Sequence, residues 1–329
     1  MEDAGWVNHN AFSISADRDI CPCIPYLLFS SSQFRTLRKS LYYAETFLLM
    51  KHPLFLLLLL ITASSLLPAT AQNQKNVSWK KVKVLVYTKN GKGYVHDNIP
   101  SAVAAIQKLA SEKGFRVDVS EDPSVFTEQK LNEYTFLLFP STNNDVFDTD
   151  SQRVAFRRYI QAGGGFVGLH SVVGTERNWR WFKMMLGGSF VWHPKYQPLA
   201  IKIIDKSHPS VTGLPTTWKK EDETYFMKEL YPGINVVMAH DLSAMKPDAK
   251  DSTRIAELAA AFGDYYPAAW HHNFDGGTVW ITTLGHNKKD YEDPLYLNHV
   301  YQGMAYVAGK TGKLDYSKAY ATERDAPIP

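Results

Sequence analysis

Imidazoles recur in this chain where an apolar run has just ended. "GGGFVGLHS" closes on His170 and Ser171, "GTVWITTLGH" closes on His286, and the loop after "VKVLVY" carries His96. A histidine titrates near pH 6.5, so at the tip of a buried strand it can take or give a proton near neutrality, or ligate a metal. A carboxylate can polarise such a ring, and Glu223 in "EDETYF" is a candidate for that role. His170, His286, Glu223 and His96 are therefore the candidate catalytic groups, and such an acid–base group contributes about 10²–10⁴-fold in rate. Each has a competing structural role: a hydrogen bond to its own turn for His170, a surface loop position for His96, and a solvated charge cluster, Glu221-Asp222-Glu223, for the carboxylate.

A second set has the chemistry of substrate binding. Ser171 follows His170, His193 lies in "FVWHP", Tyr225 lies two residues past Glu223, and Asn144 sits in the polar loop "STNND". Trp270, in "PAAWHHNF", offers a ring that can stack on a ligand or fill the core. His208, His240 and His299 read as structural or surface residues, and His271 and His272 are unassigned.

Of 11 histidines, two (His9 and His52) precede residue 72, which leaves nine; with Glu223 they are enough donors for a divalent metal. No local signature such as H-E-x-x-H is present, so no metal or other cofactor is assigned, although a divalent ion is chemically open to these residues. The only cysteines are Cys21 and Cys23. A chain processed after residue 71 has no disulfide, thiolate metal site or cysteine nucleophile.

Strands and helices must hold these groups. "VKVLVY" (82–87), "FRVDVS" (115–120), "TFLLFP" (135–140) and "GFVGL" (165–169) read as strands, and helices are expected between them. Pro100 starts one with Val103, Ile106, Leu109 and Ala110 at helical spacing, and Gly114 ends it. "TEQKLNEY" and "SQRVAFRRYIQA" supply the next two. This alternation implies an α/β fold, a parallel sheet covered on both faces. Farther on, "NWRWFKMML" is expected to be a helix. "LAIKIID" (199–205), "NVVMA" (235–239), "RIAELAAAF" (254–262) and "GTVWITTLG" (277–285) are expected to be strands. "EDPLYLNHVYQGMAYVAG" is expected to be a closing helix burying Leu295, Val300 and Met304. In such sheets ligands bind beyond the carboxyl ends of the strands, where His96, Asn144, His170 and, if its strand runs the same way, His286 converge.

The first seventy residues differ from the rest. Met50-Lys51-His52, an apolar run through Leu56–Ile61 and Ala69-Thr70-Ala71 before Gln72 make a secretory signal peptide. The run is shorter than the ~20 residues that span a bilayer, so membrane contact is expected only through this signal. The expected organisation is an upstream, non-native extension (1–49), the signal peptide (50–71), a linker (72–81), one domain (82–310) and a C-terminal tail (311–329). Export leads to the periplasm or the cell exterior. A net charge of +3 over 329 residues, with no basic stripe, excludes a strong nucleic-acid footprint. The sequence carries no signal of an oligomeric state.

"GGGFVGLHS", "GGSFVWHP", "EDETYF" and "PAAWHHNFDGGTVWITTLGH" in this order resemble the ThuA-like (trehalose utilisation) family, over roughly residues 82–309. The resemblance implies a flavodoxin-like, class I glutamine amidotransferase-like three-layer sandwich with a mostly parallel central sheet. It sets His170 where amidotransferases carry a cysteine, which excludes thioester chemistry on glutamine. It matches His96 to the family's early histidine and Glu223 and Tyr225 to its acidic-x-Tyr element, with Glu223 polarising a histidine or binding sugar hydroxyls. It also implies a small carbohydrate substrate, a trehalose-like disaccharide or keto-sugar, and an enzyme of hydrolase, lyase or isomerase type using histidine acid–base chemistry. A non-catalytic carbohydrate-binding module on the same fold is the alternative.

Overall fold

The structure is a computed structural model that describes residues 77–329. The extension at 1–49, the signal peptide at 50–71, both cysteines and the first part of the 72–81 linker lie outside the described residues.

Its elements, in chain order, are β1 (Lys83–Tyr87), α1 (Ile99–Lys113), β2 (Arg116–Ser120), α2 (Glu128–Leu131), β3 (Phe136–Pro140), α3 (Asp150–Gln161), β4 (Gly165–Leu169), α4 (Arg180–Leu186), β5 (Ser189–Trp192), β6 (Gln197–Ile203), β7 (Thr217–Asp222), β8 (Phe226–Lys228), β9 (Asn235–Asp241), α5 (Ala249–Leu258), β10 (Tyr265–Phe274), β11 (Gly277–Thr282) and α6 (Pro294–Lys310). One sheet has the order β2-β1-β3-β4-β11-β10-β9-β6-β7, and β5 and β8 form a separate pair. The strands from β2 to β11 in that order are mutually parallel. Each later neighbour is antiparallel, so within the large sheet only β10 and β6 run against the rest.

Local chemistry sets the element ends. Pro100 opens α1 and Gly114, at φ +84°, closes it. Thr149 and Gln152 form a reciprocal capping box at α3. β3 and β4 are buried along their whole length, as central parallel strands must be. Phe156 of α3 packs on Phe139 and Phe166 of the sheet and on Trp181 and Phe182 of α4. The opposite face is covered by α6: Trp280 leaves no room for a Cβ at Gly303, and Gly165 none beside Val307. Tyr301 of α6 in turn meets Trp79 and Lys113 of α1. The result is the expected α/β three-layer sandwich.

Two expectations are corrected. Residues 254–262 are not a strand; α5 covers most of them, capped by the Asp248 side chain. Ile255, Leu258, Ala259 and Phe262 fall on one helical stripe against the core, and alanine favours helix. Leu295 is exposed because it lies in the first turn of α6, whereas Val300 and Met304 are buried. The C-terminal tail is tied to the domain: Arg157 and Arg158 of α3 donate to the carbonyls of Ala326 (2.7 Å) and Ala319 (2.8 Å), and Trp179 donates to that of Arg324 (2.9 Å). A ten-residue strand, β10, also occupies a stretch the sequence reading left unassigned, and it turns into β11 through Asp275-Gly276, both at positive φ.

Candidate active site

The site is built at the carboxyl ends of β1, β4 and β11. β11 pairs parallel with β4 in the register Thr282↔Leu169, so the two strands end together. Immediately beyond them, His170 Nδ1 lies 3.0 Å from the Thr283 carbonyl. His170 itself is left-handed, at φ +49°, a conformation uncommon for a residue with a side chain and often found where function requires strain. Gly168 makes the tight return feasible, since a Cβ there would sit 2.6 Å from Val172 Cγ1. His96 reaches in from the loop after β1. That loop is tied to the β11 turn by Asn98, whose side chain donates to the carbonyls of Gly285 (2.8 Å) and His286 (3.1 Å).

Glu223 and Tyr225 come from the link between β7 and β8. β7 is at the far edge of the sheet, yet its last residue, Asp222, accepts from the backbone N–H groups of Gly285 (2.9 Å) and His286 (3.2 Å). The antiparallel half therefore curls back over the carboxyl ends of the parallel half.

Four side chains meet there. One ligating atom from each of His96, His170, Glu223 and His286 lies within 4.8 Å of the others. His286 Nδ1 is 3.2 Å from His170 Nε2 and 3.1 Å from Glu223 Oε2, and His170 Nε2 is 3.7 Å from the same oxygen. The Tyr225 hydroxyl lies 3.1 Å from His170 Nε2 and 3.2 Å from His96 Nε2. On its far side His96 Nδ1 meets Ser171 Oγ at 3.0 Å, and Ser171 donates to the Thr142 carbonyl at 3.2 Å.

The electrostatics separate these rings. Burial drives His170 down to about 4 and His96 down to about 3, with neighbouring imidazoles adding to the effect, so both are neutral at pH 7. His286 behaves oppositely: its contact with Glu223 raises its pKa against the effect of burial. Burial alone would raise Glu223, but its contacts with His286 and His193 outweigh it and hold the carboxyl below its ordinary value. Burial, with Glu223 and Asp222 nearby, pushes the Tyr225 phenol far up, so it stays a donor.

The remaining predicted binding residues fare differently. His193 is at the rim, with Nδ1 3.4 Å from Glu223 Oε1 and 2.8 Å from the Pro194 carbonyl, and its ring stacks on Tyr225. Tyr225 is inside the cluster. Ser171 is buried and engaged with His96 and Thr142, so it positions a ring rather than facing a ligand. Asn144, at φ +59°, packs beneath Gly91 and Gly93 and shapes the His96 loop. Trp270 is a correction: it is 0% exposed, and its indole donates to the Leu186 carbonyl at 2.9 Å, so it has no face to offer a sugar.

Sequence reading missed Asp222, which is fully buried beside the buried Lys220. The available signal was the alternation Trp218-x-Lys220-x-Asp222, which places the acid on the inner face of β7. It also missed the aromatic rim, where exposed Tyr94 meets His96 edge-on at 4.8 Å and Tyr196 lies 5.5 Å from His286.

The arrangement supports two kinds of chemistry: proton transfer by an imidazole backed by a carboxylate, and retention of a cation by several converging lone pairs.

Comparison with known proteins agrees with this fold. A ThuA-like protein from Bacteroides uniformis has 23% identity and a TM-score of 0.57, covering 69% of this chain and 91% of its own. One from Parabacteroides merdae has 19% identity and a TM-score of 0.54, covering 71% and 91%. No significant match was found among curated proteins. The family described as trehalose utilisation matches residues 83–307, most of the chain, and this supports a carbohydrate-related role in general. The chain belongs to the ThuA family.

Proposed function

We propose that this is an exported enzyme that converts a small carbohydrate, a trehalose-like disaccharide or keto-sugar, by histidine-mediated proton transfer beside a carbonyl or at a glycosidic oxygen. The observation that carries the reading is Glu223, whose two oxygens each face a partly exposed imidazole: His286 at 3.1 Å and His193 at 3.4 Å. A carboxylate behind a histidine orients the ring and stabilises its charged form, as in hydrolytic triads. His170 and His96 are less suited to carry protons, because burial opposes their charging. They and Tyr225 instead line the floor. Exposed Tyr94 and partly buried Tyr196 flank the entrance, where aromatic faces suit the C–H faces of a sugar ring.

The test is prolonged incubation of the protein with trehalose, related disaccharides and their 3-keto forms, followed by mass spectrometry of products. Conversion that falls about 10²–10⁴-fold in His193→Ala or His286→Ala supports proton transfer. Saturable sugar binding with no product would make the chain a binding module and end the catalytic reading. Export is tested separately, by sequencing the N-terminus of the chain recovered outside the cytoplasm; a start near Gln72 is expected.

A further inference from the structure

We propose that His96, His170, His286 and Glu223 bind one divalent first-row transition ion of the zinc type. The first argument is lone-pair geometry. Zinc donors at 2.0–2.1 Å on a tetrahedron are about 3.3–3.4 Å apart. The separations among His170 Nε2, His286 Nδ1 and Glu223 Oε2 are 3.2, 3.1 and 3.7 Å, close to that edge length. The ligating atom of His96 falls within the same 4.8 Å group.

The second argument concerns the backs of the rings. Metal-bound histidines characteristically donate their other ring N–H to a carbonyl or similar acceptor, which turns the free lone pair to the ion. His170 does so to the Thr283 carbonyl at 3.0 Å. His96 does so to Ser171 Oγ at 3.0 Å, whose own proton goes to the Thr142 carbonyl at 3.2 Å. Both Nε2 atoms therefore present lone pairs to the centre.

The third argument is a shortage of protons. The Tyr225 hydroxyl has one proton for the two Nε2 lone pairs that flank it at 3.1 and 3.2 Å. The one His286 Nδ1 proton faces both His170 Nε2 and Glu223 Oε2. Glu223 Oε2 is buried and receives no hydrogen bond of good geometry. Buried acceptors without donors are costly, and a cation satisfies all of them at once. Three imidazoles and one carboxylate suit zinc and its first-row neighbours, while magnesium and calcium prefer oxygen donors.

This inference rests on the cluster being the working site and sharpens its assignment of roles. With an ion held, His286 is a ligand, and His193 stands at its rim beside Glu223.

The full chain, dialysed against EDTA, is titrated with ZnCl₂ by calorimetry and with CoCl₂ by visible absorption, with no sugar present. One equivalent of zinc per chain, cobalt d–d bands and a zinc-dependent rise in melting temperature are expected. Glu223→Gln and His286→Ala should each weaken zinc binding at least about tenfold, while His271→Gln, outside the cluster, should not. No zinc heat and no cobalt bands in the wild type, or full zinc affinity in both site variants, would overturn the proposal. Should a variant fail to fold, the wild-type calorimetry, spectrum and melting shift still decide it. Zinc binding without sugar conversion would remove the enzymatic reading alone, and absence of zinc heat and cobalt bands beside full sugar conversion would remove the ion alone.

Discussion

The Asp222 carboxylate accepts the backbone N–H groups of both Gly285 (2.9 Å) and His286 (3.2 Å), so one buried side chain from the far-edge strand fixes the turn that presents His286. Lys220 pairs with the same carboxylate and reaches Asp290 at 3.1 Å. Burial would raise the Asp222 pKa, but the Lys220 ammonium, helped by the Gly285 N–H, outweighs it and keeps the group ionised. Asp222→Ala leaves Lys220 short of a partner in a dry environment and frees the turn. Removing one member of a buried pair costs about 3–5 kcal/mol. Urea unfolding should show a loss of that size, accompanied by loss of sugar conversion. Wild-type stability in the variant would mean that water replaces the carboxylate.

His170 occupies a left-handed position, φ +49°, that asparagine tolerates and β-branched residues do not. His170→Asn should therefore fold, with stability within about 2 kcal/mol of wild type, because what it loses is mainly the hydrogen bond to Thr283 and packing. Conversion should nonetheless fall by at least about tenfold, since the asparagine places no ring nitrogen at the centre to hold the proposed ion. His170→Val should fail to accumulate as folded protein. Equal turnover by His170→Asn and wild type would remove this ring from the mechanism.

The contrast between the two halves of the sheet shows what sequence can convey. β1, β3 and β4 are short apolar runs buried on both faces and bounded by turn residues, so pattern alone locates them. His96, His170 and His286 were legible because each follows such a run, and parallel pairing carries their positions into one edge. Glu223 was legible by type, but not by path, since nothing local predicts that β7 curls back to the site. Trp270 was read as a possible ligand platform because Pro267 obscures its strand; the backbone accommodates that proline with a register shift between β9 and β10. Alanine-rich 254–262 misled because a short apolar run has no clear period until its stripe of Ile255, Leu258, Ala259 and Phe262 is recognised.

Glu176 is a second buried anchor, behind the loop that follows β3. Its carboxylate accepts from the backbone N–H of Val146 (2.8 Å) and Phe147 (3.1 Å) and from Arg153 (2.7 Å), and it is 2% exposed. Glu176→Ala leaves a buried guanidinium without its main partner and two amides unpaired. A destabilisation of about 3–5 kcal/mol is expected in urea unfolding. A loss below 1 kcal/mol would show that Asp150, which also contacts Arg153 at 3.2 Å, suffices.

Acid should unfold the protein in part through histidines outside the site. Burial drives His208 down to about 3, and His240, His272 and His299 down to about 4. In the unfolded chain these rings return to about 6.5. Between pH 6.5 and about 4 the unfolded state therefore binds more protons than the folded state, and stability rises with pH. Their contribution is fully present above pH 6.5 and is lost as pH falls, at up to about 1.4 kcal/mol per pH unit for each ring. His240 isolates the effect, because both its ring nitrogens are buried without partners and a hydrophobic side chain can replace it. Urea unfolding of His240→Leu from pH 7.5 to 4.5 should show a slope smaller by about one proton than wild type. Parallel slopes for the two proteins would mean that this ring keeps its ordinary proton affinity in the fold.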